Sequence, residues 1–292
     1  MVEVRAARGE PVDPERPGVS VLIVSYNTRD LLLQAVASVV HDPSVEVIVV
    51  DNASADGSAD AVAERFPMVQ LIRSCQNLGF AAGTNAAASA ARASDLLLLN
   101  PDATLTPGAL QRMLALLDRE PRAAAIGPAM VYPFGQPQAS AFRFPGLIQV
   151  ALDLFPVDRL MDTRLNGRMH DTQRPTRVDY TLGACMLIRG QAWRDVGPLD
   201  EGYFMYVEEI DWCQRARRKG WQIWFEPSAT AAHHAGAATR QQPDAMRAQL
   251  WRSRLRYYQR FHGPLYNRLV RALISRGVGR HRALRSIRQL TA

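Results

Sequence analysis

Five clusters of polar residues in this chain have the types and spacing to do chemistry, and four of them come after apolar runs, three of these directly. The run Val19-Ser20-Val21-Leu22-Ile23-Val24 ends in Ser25-Tyr26-Asn27, and residues 45–50 end in Asp51-Asn52. Asn77, Gly79, Phe80 and Asn85 follow the short run 69–72, and Asn100-Pro101-Asp102 follows 96–99. Asn, Asp, Gly and Ser make ordinary turns after strands, so one such tip carries little information. Four in succession, two of them with a carboxylate, point instead to one pocket for a polar ligand. No GxGxxG follows the first run and no GxxxxGKS/T occurs, which disfavours a Rossmann dinucleotide site and a P-loop. The phosphates of a nucleotide would then need another counter-charge, and a divalent cation held by a carboxylate supplies one.

The fifth cluster, Glu208-Glu209-Ile210-Asp211, opens a helical pattern over 207–219. Helical geometry places Glu208 and Asp211 on one face, with Arg215 four beyond Asp211 as an ion-pair partner. Glu209 is turned about 100° from Glu208 and escapes that pairing. Acids at a helix start also complement its dipole, which accounts well for Glu208 and less well for Glu209. His233-His234 follow a strand-like run at 221–225 after a short loop. Adjacent side chains of an extended segment face opposite ways, so at most one of the two is a ligand, and His233 is favoured. His41, His170, His262 and His281 have no such context, and Trp193, Trp212, Trp221 and Trp224 read as core.

These clusters need elements to position them. Short Val-, Ile- and Leu-rich runs alternate with helical spacing over 28–40, 58–66, 83–93 and 106–118, where Thr106-Pro107 reads as N-cap and first helical residue. Residues 123–126 read as a fifth strand. Such alternation predicts an α/β fold with a doubly wound parallel sheet and all four tips on one edge. Residues 130–178 break the rhythm with Pro, Gly and Arg, and read as loops that build one side of the site and select the acceptor.

Of 292 residues 47% are hydrophobic and 22% charged, which excludes disordered, collagen-like and coiled-coil classes. The net charge of +7 is uneven. Residues 1–244 hold 23 bases against 28 acids, so they carry −5; the remainder has twelve arginines and no acid. The acidic body argues against nucleic acid as a partner. Three separated cysteines argue against a disulfide or zinc scaffold and for a reducing cytoplasm. The first eighteen residues lack a signal-peptide core, and no run approaches 18 apolar residues. The expected setting is the cytoplasm or the inner face of the cell membrane. In the tail, Leu250, Tyr257, Tyr258, Phe261, Leu265, Leu269 and Leu273 recur among arginines, and Gly263-Pro264 divides two helices. A basic amphipathic segment of this kind reads equally as an anchor on anionic lipid or as a helix packed on the domain or on a homodimer mate.

VSVLIVSYNTRDLL, VEVIVVDNASADGS, NLGFAAGTNAA and DLLLLNPDATL resemble the inverting glycosyltransferases of family 2, which have the GT-A fold. The likeness is closest to the bacterial rhamnosyltransferase-like branch. It continues through YTLGACMLIR, VGPLDE and FMYVEEIDWCQR, and covers roughly residues 19–236. It implies a GT-A domain over 19–236, with a nucleotide-sugar half (19–128) and an acceptor and catalytic half (129–236). Residues 1–18 become a flexible lead-in and 237–292 a basic helical extension.

The resemblance also implies roles. Ser25, Tyr26, Asn27, Asp51 and Asn52 match the pocket for nucleobase and ribose, where a carboxylate can accept the imide N–H of uracil or thymine. Asn77, Gly79, Phe80 and Asn85 match the loop over nucleotide and sugar. Asn100-Pro101-Asp102 stands where the family has Asp-x-Asp, which makes Asp102 the ligand of Mg²⁺ or Mn²⁺, with His233 able to join it. Glu209 matches the general base, with Glu208 and Gly183 on the acceptor side. The implied reaction is inverting transfer from a nucleoside-diphosphate sugar, dTDP-L-rhamnose first and a UDP-sugar second. The acceptor is a saccharide or polyprenyl-linked saccharide of an envelope polymer. The rival is a non-catalytic nucleotide-sugar or partner-binding protein, supported only by the departures Asn100 and Glu209. A nucleotidyltransferase fits less well, because Ser25-Tyr26-Asn27 stands where a Gly-rich basic loop belongs.

Overall fold

The computed structural model describes residues 17–161, 163–169, 173–237 and 239–278. Most of the expected lead-in, His170, and the last four tail arginines with His281 lie outside the described residues. The chain runs through β1 (Val19–Ser25), α1 (Arg29–Ala37), β2 (Val45–Asp51), α2 (Ser58–Arg65), β3 (Gln70–Arg73), α3 (Phe80–Ala90), β4 (Asp95–Leu99), β5 (Ala103–Leu105), α4 (Ala109–Arg119) and β6 (Ala123–Val131). It continues through β7 (Pro137–Gln138), β8 (Ala141–Phe142), α5 (Leu147–Leu154), α6 (Asp158–Met161), a 3-10 turn (Arg164–Asn166), β9 (Thr176–Val178), β10 (Tyr180–Thr181) and β11 (Cys185–Ile188). The remaining elements are α7 (Gly190–Val196), α8 (Glu208–Arg218), β12 (Gln222–His233), α9 (Pro243–Phe261) and α10 (Pro264–Val278).

The main sheet has the order β3-β2-β1-β4-β11-β6-β12-β5, with β7 beside β6 and β9 beside β12. Alternation along the strands divides its core in two. Leu22, Val24, Ile48, Val50, Leu96 and Leu98 face α3, α5 and α7 to α10, whereas Val21, Ile23, Val47, Val49, Leu97 and Leu99 face α1, α2 and α4. Covering a sheet on both faces explains why β1 is buried at all seven positions, Ser20 and Ser25 included.

Parallel pairing of β1 with β2 sets Ser25 opposite Asp51, and pairing of β2 with β3 sets Asp51 opposite Arg73. The first three tips therefore end level, and β4, parallel to β1, brings the fourth to the same edge. The sheet is not wholly parallel. The expected fifth strand, β6, does not adjoin β4, because β11 enters between them antiparallel to both. β12 runs on from the expected 221–225 to His233, pairing with β6 and, antiparallel, with β5.

Several local expectations are corrected. α3 begins at Phe80, because Gly79 (φ 82°) turns the chain into it three residues before Gly83. Thr106 does not cap α4. Its hydroxyl donates to the Thr230 carbonyl, and Gly108 (φ 75°) precedes the helix. Residues 130–178 are more regular than their composition suggests, since α5 buries Val150, Leu152 and Leu154. The boundary expected at 236 does not coincide with a break in the core. Ala248, Trp251, Leu255, Tyr257 and Tyr258 of α9 lie in the same cluster as α8, and the two tail helices part at Gly263-Pro264 as the sequence indicates.

Candidate active site

The strand tips and the start of α8 enclose a cavity of about 380 Å³, within the range of small-molecule sites. One wall is Ser25, Tyr26, Asn52, Asn77 and Phe80; the floor is Asn100, Pro101 and Asp102 with His233 and Gly183. The opposite wall is Phe204, Met205, Tyr206, Glu208 and Glu209, and Gln241, Gln242 and Met246 close it from the start of α9.

Sheet register assembles the floor. The antiparallel pair β11–β4 sets Cys185 opposite Leu99, and Asn100 N donates to Ala184 O at 2.8 Å. The pair β12–β5 sets His233 opposite Ala103, which puts its Nε2 3.2 Å from Asp102 Oδ1. Asp102 Oδ2 accepts the Ala237 amide at 3.0 Å. Burial alone would raise the Asp102 carboxyl, but the His233 contact and charge and the Ala237 amide outweigh it and hold it below the usual carboxylate range.

Among the described residues no three or more His, Cys, Asp and Glu side chains gather as a cation site. Asp102 and His233 offer one oxygen and one nitrogen. His233 Nδ1 lies 3.1 Å from Gln138 Oε1. His233 Nε2 is buried beside Asp102 Oδ1 without an aligned hydrogen bond, and a cation bound between the two atoms would take the Nε2 lone pair in place of a proton. One carboxylate oxygen and one imidazole nitrogen suit a divalent cation, which would need further ligands from outside these two side chains.

The acidic wall is held under strain. Phe204 O accepts the Phe80 amide at 2.7 Å, and Met205 O accepts the Ser253 hydroxyl at 2.7 Å, so α3 and α9 both grip this segment. The chain then turns sharply through Tyr206 and Val207, at φ 68° and 76°, to start α8. A left-handed, β-branched Val207 costs of order 1–3 kcal/mol. Asn27, Ala53 and Ala235, the other non-glycine residues with positive φ among those described, follow β1, β2 and β12.

This turn delivers two carboxyls that pair with no cation among the described residues. Glu208 Oε2 and Glu209 Oε2 are buried without hydrogen-bond partners. Burial pushes the Glu209 carboxyl up to about 7, although backbone amides near the helix start oppose the shift. Burial pushes Glu208 well above its usual value, and the charge of Glu209 adds to the rise. Glu208 is therefore not the solvated helix-start acid its position suggested. The expected Asp211–Arg215 pair forms at 2.7 Å, with Arg260 3.0 Å from the other oxygen of Asp211. A side chain at Gly183 would place its Cβ 3.3 Å from Glu209 Cβ and Cγ, so glycine there lets Glu209 lie close over the β10–β11 turn.

Of the residues singled out by sequence, Asn27, Asp51, Gly79 and Asn85 do not line the cavity. Asn27 Oδ1 accepts the Ala55 amide and its carbonyl accepts Gln241 Nε2, which ties the first two tips to the chain entering α9. Asp51 accepts the Ser54 amide through Oδ2, while Oδ1 is buried without a partner. Gly79 packs against the Phe204 backbone. Asn85 bonds both ways with the Leu199 backbone and reaches Glu201. Ser25 lines the cavity, but its hydroxyl lies 3.0 Å from that of Thr28. No described residue of 130–178 lines the cavity; Gln138 supports it from behind. The aromatics facing it are Tyr26, Phe80, Phe204 and Tyr206, while Trp212 is buried and stacked on Trp193. Phe204 to Tyr206 were detectable as the lead-in to the acidic motif. Gln241, Gln242 and Met246 carry no comparable signal.

The family model described as Glycosyl transferase family 2 matches residues 20–192. The N-acetylglucosaminyl-diphospho-decaprenol L-rhamnosyltransferase of Mycobacterium tuberculosis is 31% identical over 241 residues, covering 76% of this chain and 78% of that protein. The mannosyltransferase PcManGT of Pyrobaculum calidifontis, solved with GDP-Man and Mn²⁺, aligns with a TM-score of 0.58 at 16% identity over 95% of this chain and 77% of that one. GalNAc-T7, solved with UDP, GalNAc and Mn²⁺, aligns with a TM-score of 0.55 at 16% identity over 76% of this chain. The alignment spans 44% of that structure's length. At such identities these two structures establish the fold alone, which is GT-A.

Proposed function

Because the chain belongs to glycosyl transferase family 2, we propose that it moves L-rhamnose, with inversion, from dTDP-rhamnose to a saccharide on a polyprenyl diphosphate. The observation that carries this reading is that one cavity is lined both by Asp102, 3.2 Å from His233, and by Glu209, whose Oε2 is buried without a hydrogen bond; these settings hold the first carboxyl below and the second above the usual range. Inverting transfer needs both characters: charge compensation at the leaving group, and a base for the acceptor hydroxyl. The rhamnosyltransferase relative supports the sugar and the lipid-linked acceptor. A UDP-sugar is the second donor, because no described side chain lining the cavity distinguishes thymine from uracil.

In this reading Tyr26, Asn52, Asn77 and Phe80 bracket the donor, and Asp102 and His233 would hold a divalent cation. A divalent cation bound there neutralises charge developing on the departing diphosphate. Glu209 takes the acceptor proton as that oxygen bonds to the anomeric carbon from the face opposite the diphosphate. The anomeric bond to the diphosphate breaks, and its electron pair leaves with dTDP. Gly183 and Glu208 border the acceptor. Residues 19–128 form the donor half, 129–236 the catalytic half, and α9 completes the enclosure.

Thermal shift tests this. At a hundredfold excess over Kd, dTDP-rhamnose with Mn²⁺ should raise Tm by about 5 °C or more, and Asp102→Asn should remove the part that depends on Mn²⁺. No shift with dTDP-rhamnose, dTDP or UDP, with or without cation, overturns the donor assignment.

A further inference from the structure

The twelve tail arginines do not act alike. On α9, Arg254 pairs with Asp153 of α5 at 2.6 Å, Arg256 pairs with Asp200 at 2.9 Å, and Arg260 bridges Asp200 and Asp211. Those charges complement the acidic body and hold α9 on it. α10 is different. Its inner face buries Val270 and Ile274, while Leu265, Arg268, Leu269 and Arg276 lie exposed along the other side at spacings of three, four and seven. Among the described residues no acid pairs with Arg268 or Arg276.

α10 packs on α5, which in turn meets the 3-10 turn. Where the three elements meet is a second cavity of about 320 Å³, lined by Phe144, Leu147, Ile148, Leu165 and Tyr266 with Arg143 and Arg164. Ile148 is 58% exposed, Leu165 51%, Leu265 67% and Leu269 46%. Ile148 and Leu165 stand exposed at the cavity beside Arg143 and Arg164, and Leu265 and Leu269 stand exposed beside Arg268 on the adjoining α10; no described acid neutralises Arg143, Arg164, Arg268 or Arg276. Apolar side chains interleaved with unpaired cations suit an anionic lipid surface, where both kinds of group find a partner. No described helix is long and apolar enough to cross a membrane.

We infer that the face formed by α5, the 3-10 turn and α10 is a docking surface for an anionic lipid bilayer, with the groove between α5 and α10 seated on the acyl region. This moves the contact away from α9, three of whose five arginines hold the domain together. It also deepens the functional reading, since a polyprenyl-linked acceptor resides in a bilayer. Phe144, at the groove, stacks on Tyr180, the first residue of β10, and the β10–β11 turn that follows carries Gly183 against Glu209, so the lipid face adjoins the proposed acceptor side.

The test is cosedimentation of the full chain with phosphatidylglycerol–phosphatidylcholine vesicles against pure phosphatidylcholine, without donor or acceptor, so its failure and that of the transferase reading are separable. Three surface variants are compared, each checked for an unchanged melting curve: Arg268→Gln with Arg276→Gln, Ile148→Ser with Leu165→Ser, and the charge-matched control Arg247→Gln with Arg252→Gln. Each arginine near an anionic surface contributes about a fivefold factor in partition. The α10 pair should therefore lower binding about 25-fold. The apolar pair should lower it at least tenfold, and the α9 control less than threefold. Equal losses in both arginine pairs, wild-type binding by the apolar pair, or equal binding to neutral vesicles would each overturn the proposal.

Discussion

Replacing Glu209 with Gln should make the protein more stable at alkaline pH and inactive at every pH. The Glu209 carboxyl sits at about 7 against an ordinary value of 4.5. At about 1.36 kcal/mol per unit, the displacement corresponds to roughly 3 kcal/mol. The sign follows from proton counts. Between the two values the folded state keeps a proton that the unfolded state has released, so stability falls as pH rises through that window and levels off above it. Gln preserves the shape of the protonated acid and removes the titration. In chelator at pH 8.5 the variant should exceed wild type by about 1–3 kcal/mol, since water entry and relaxation of Glu208 reduce the ideal figure. At about 2–4 °C per kcal/mol for a chain of this size class, Tm should rise by roughly 2–12 °C. At pH 5 the two should agree to within about 1 kcal/mol. Donor affinity should persist while kcat falls by a factor of ~10²–10⁴, and wild-type kcat/KM should climb tenfold per pH unit below about 7 and then flatten. A variant that melts lower than wild type at pH 8.5, or by the same margin at both pH values, would show an ionised and partnered carboxyl. Full turnover would remove Glu209 from the role of base.

Gly79→Ala should lower stability by about 2–4 kcal/mol in urea, because φ is 82° and the new Cβ would stand 2.3 Å from Phe204 O; an unchanged midpoint would show that the 204–207 wall is free to move. Arg254→Gln leaves Asp153 unpaired in a mostly buried site and should cost about 1–3 kcal/mol within a single unfolding transition. A separate early transition would show α9 melting independently. Arg256→Gln, at the more exposed pair with Asp200, should cost under about 1 kcal/mol, as read from the same urea curves.

The first half of the fold was legible because parallel strands covered on both faces need near-continuous apolar runs, and each run must stop where the chain turns. That is why Ser25, Asp51 and Asn100 could be placed on one edge. The reading weakened where a residue's partner is remote. Nothing near Asn85 announces that its amide holds the 199–201 turn, and nothing near residue 123 shows that β11 will enter beside β4. The composition of 130–178 signalled loops, yet α5 forms there because Val150 and Leu154 find a core shared with α9 and α10.

The sequence by itself determined the α/β alternation, the polar tips, the acid motif at 208–211 and the division of charge into −5 and +12, since each depends on residue type and short-range periodicity. Only the tertiary structure decided how those charges are used. Asp102 is lowered because β12 brings His233 across from β5, and Glu209 is raised because the turn at 206–207 buries it away from any cation. Arg254, Arg256 and Arg260 bind acids of the body, while Arg268 and Arg276, of the same type and in the same stretch of chain, face outward. A side chain's charge is set by its formula, but its free energy depends on the dielectric and the partner around it, and these come from chain segments far away in sequence.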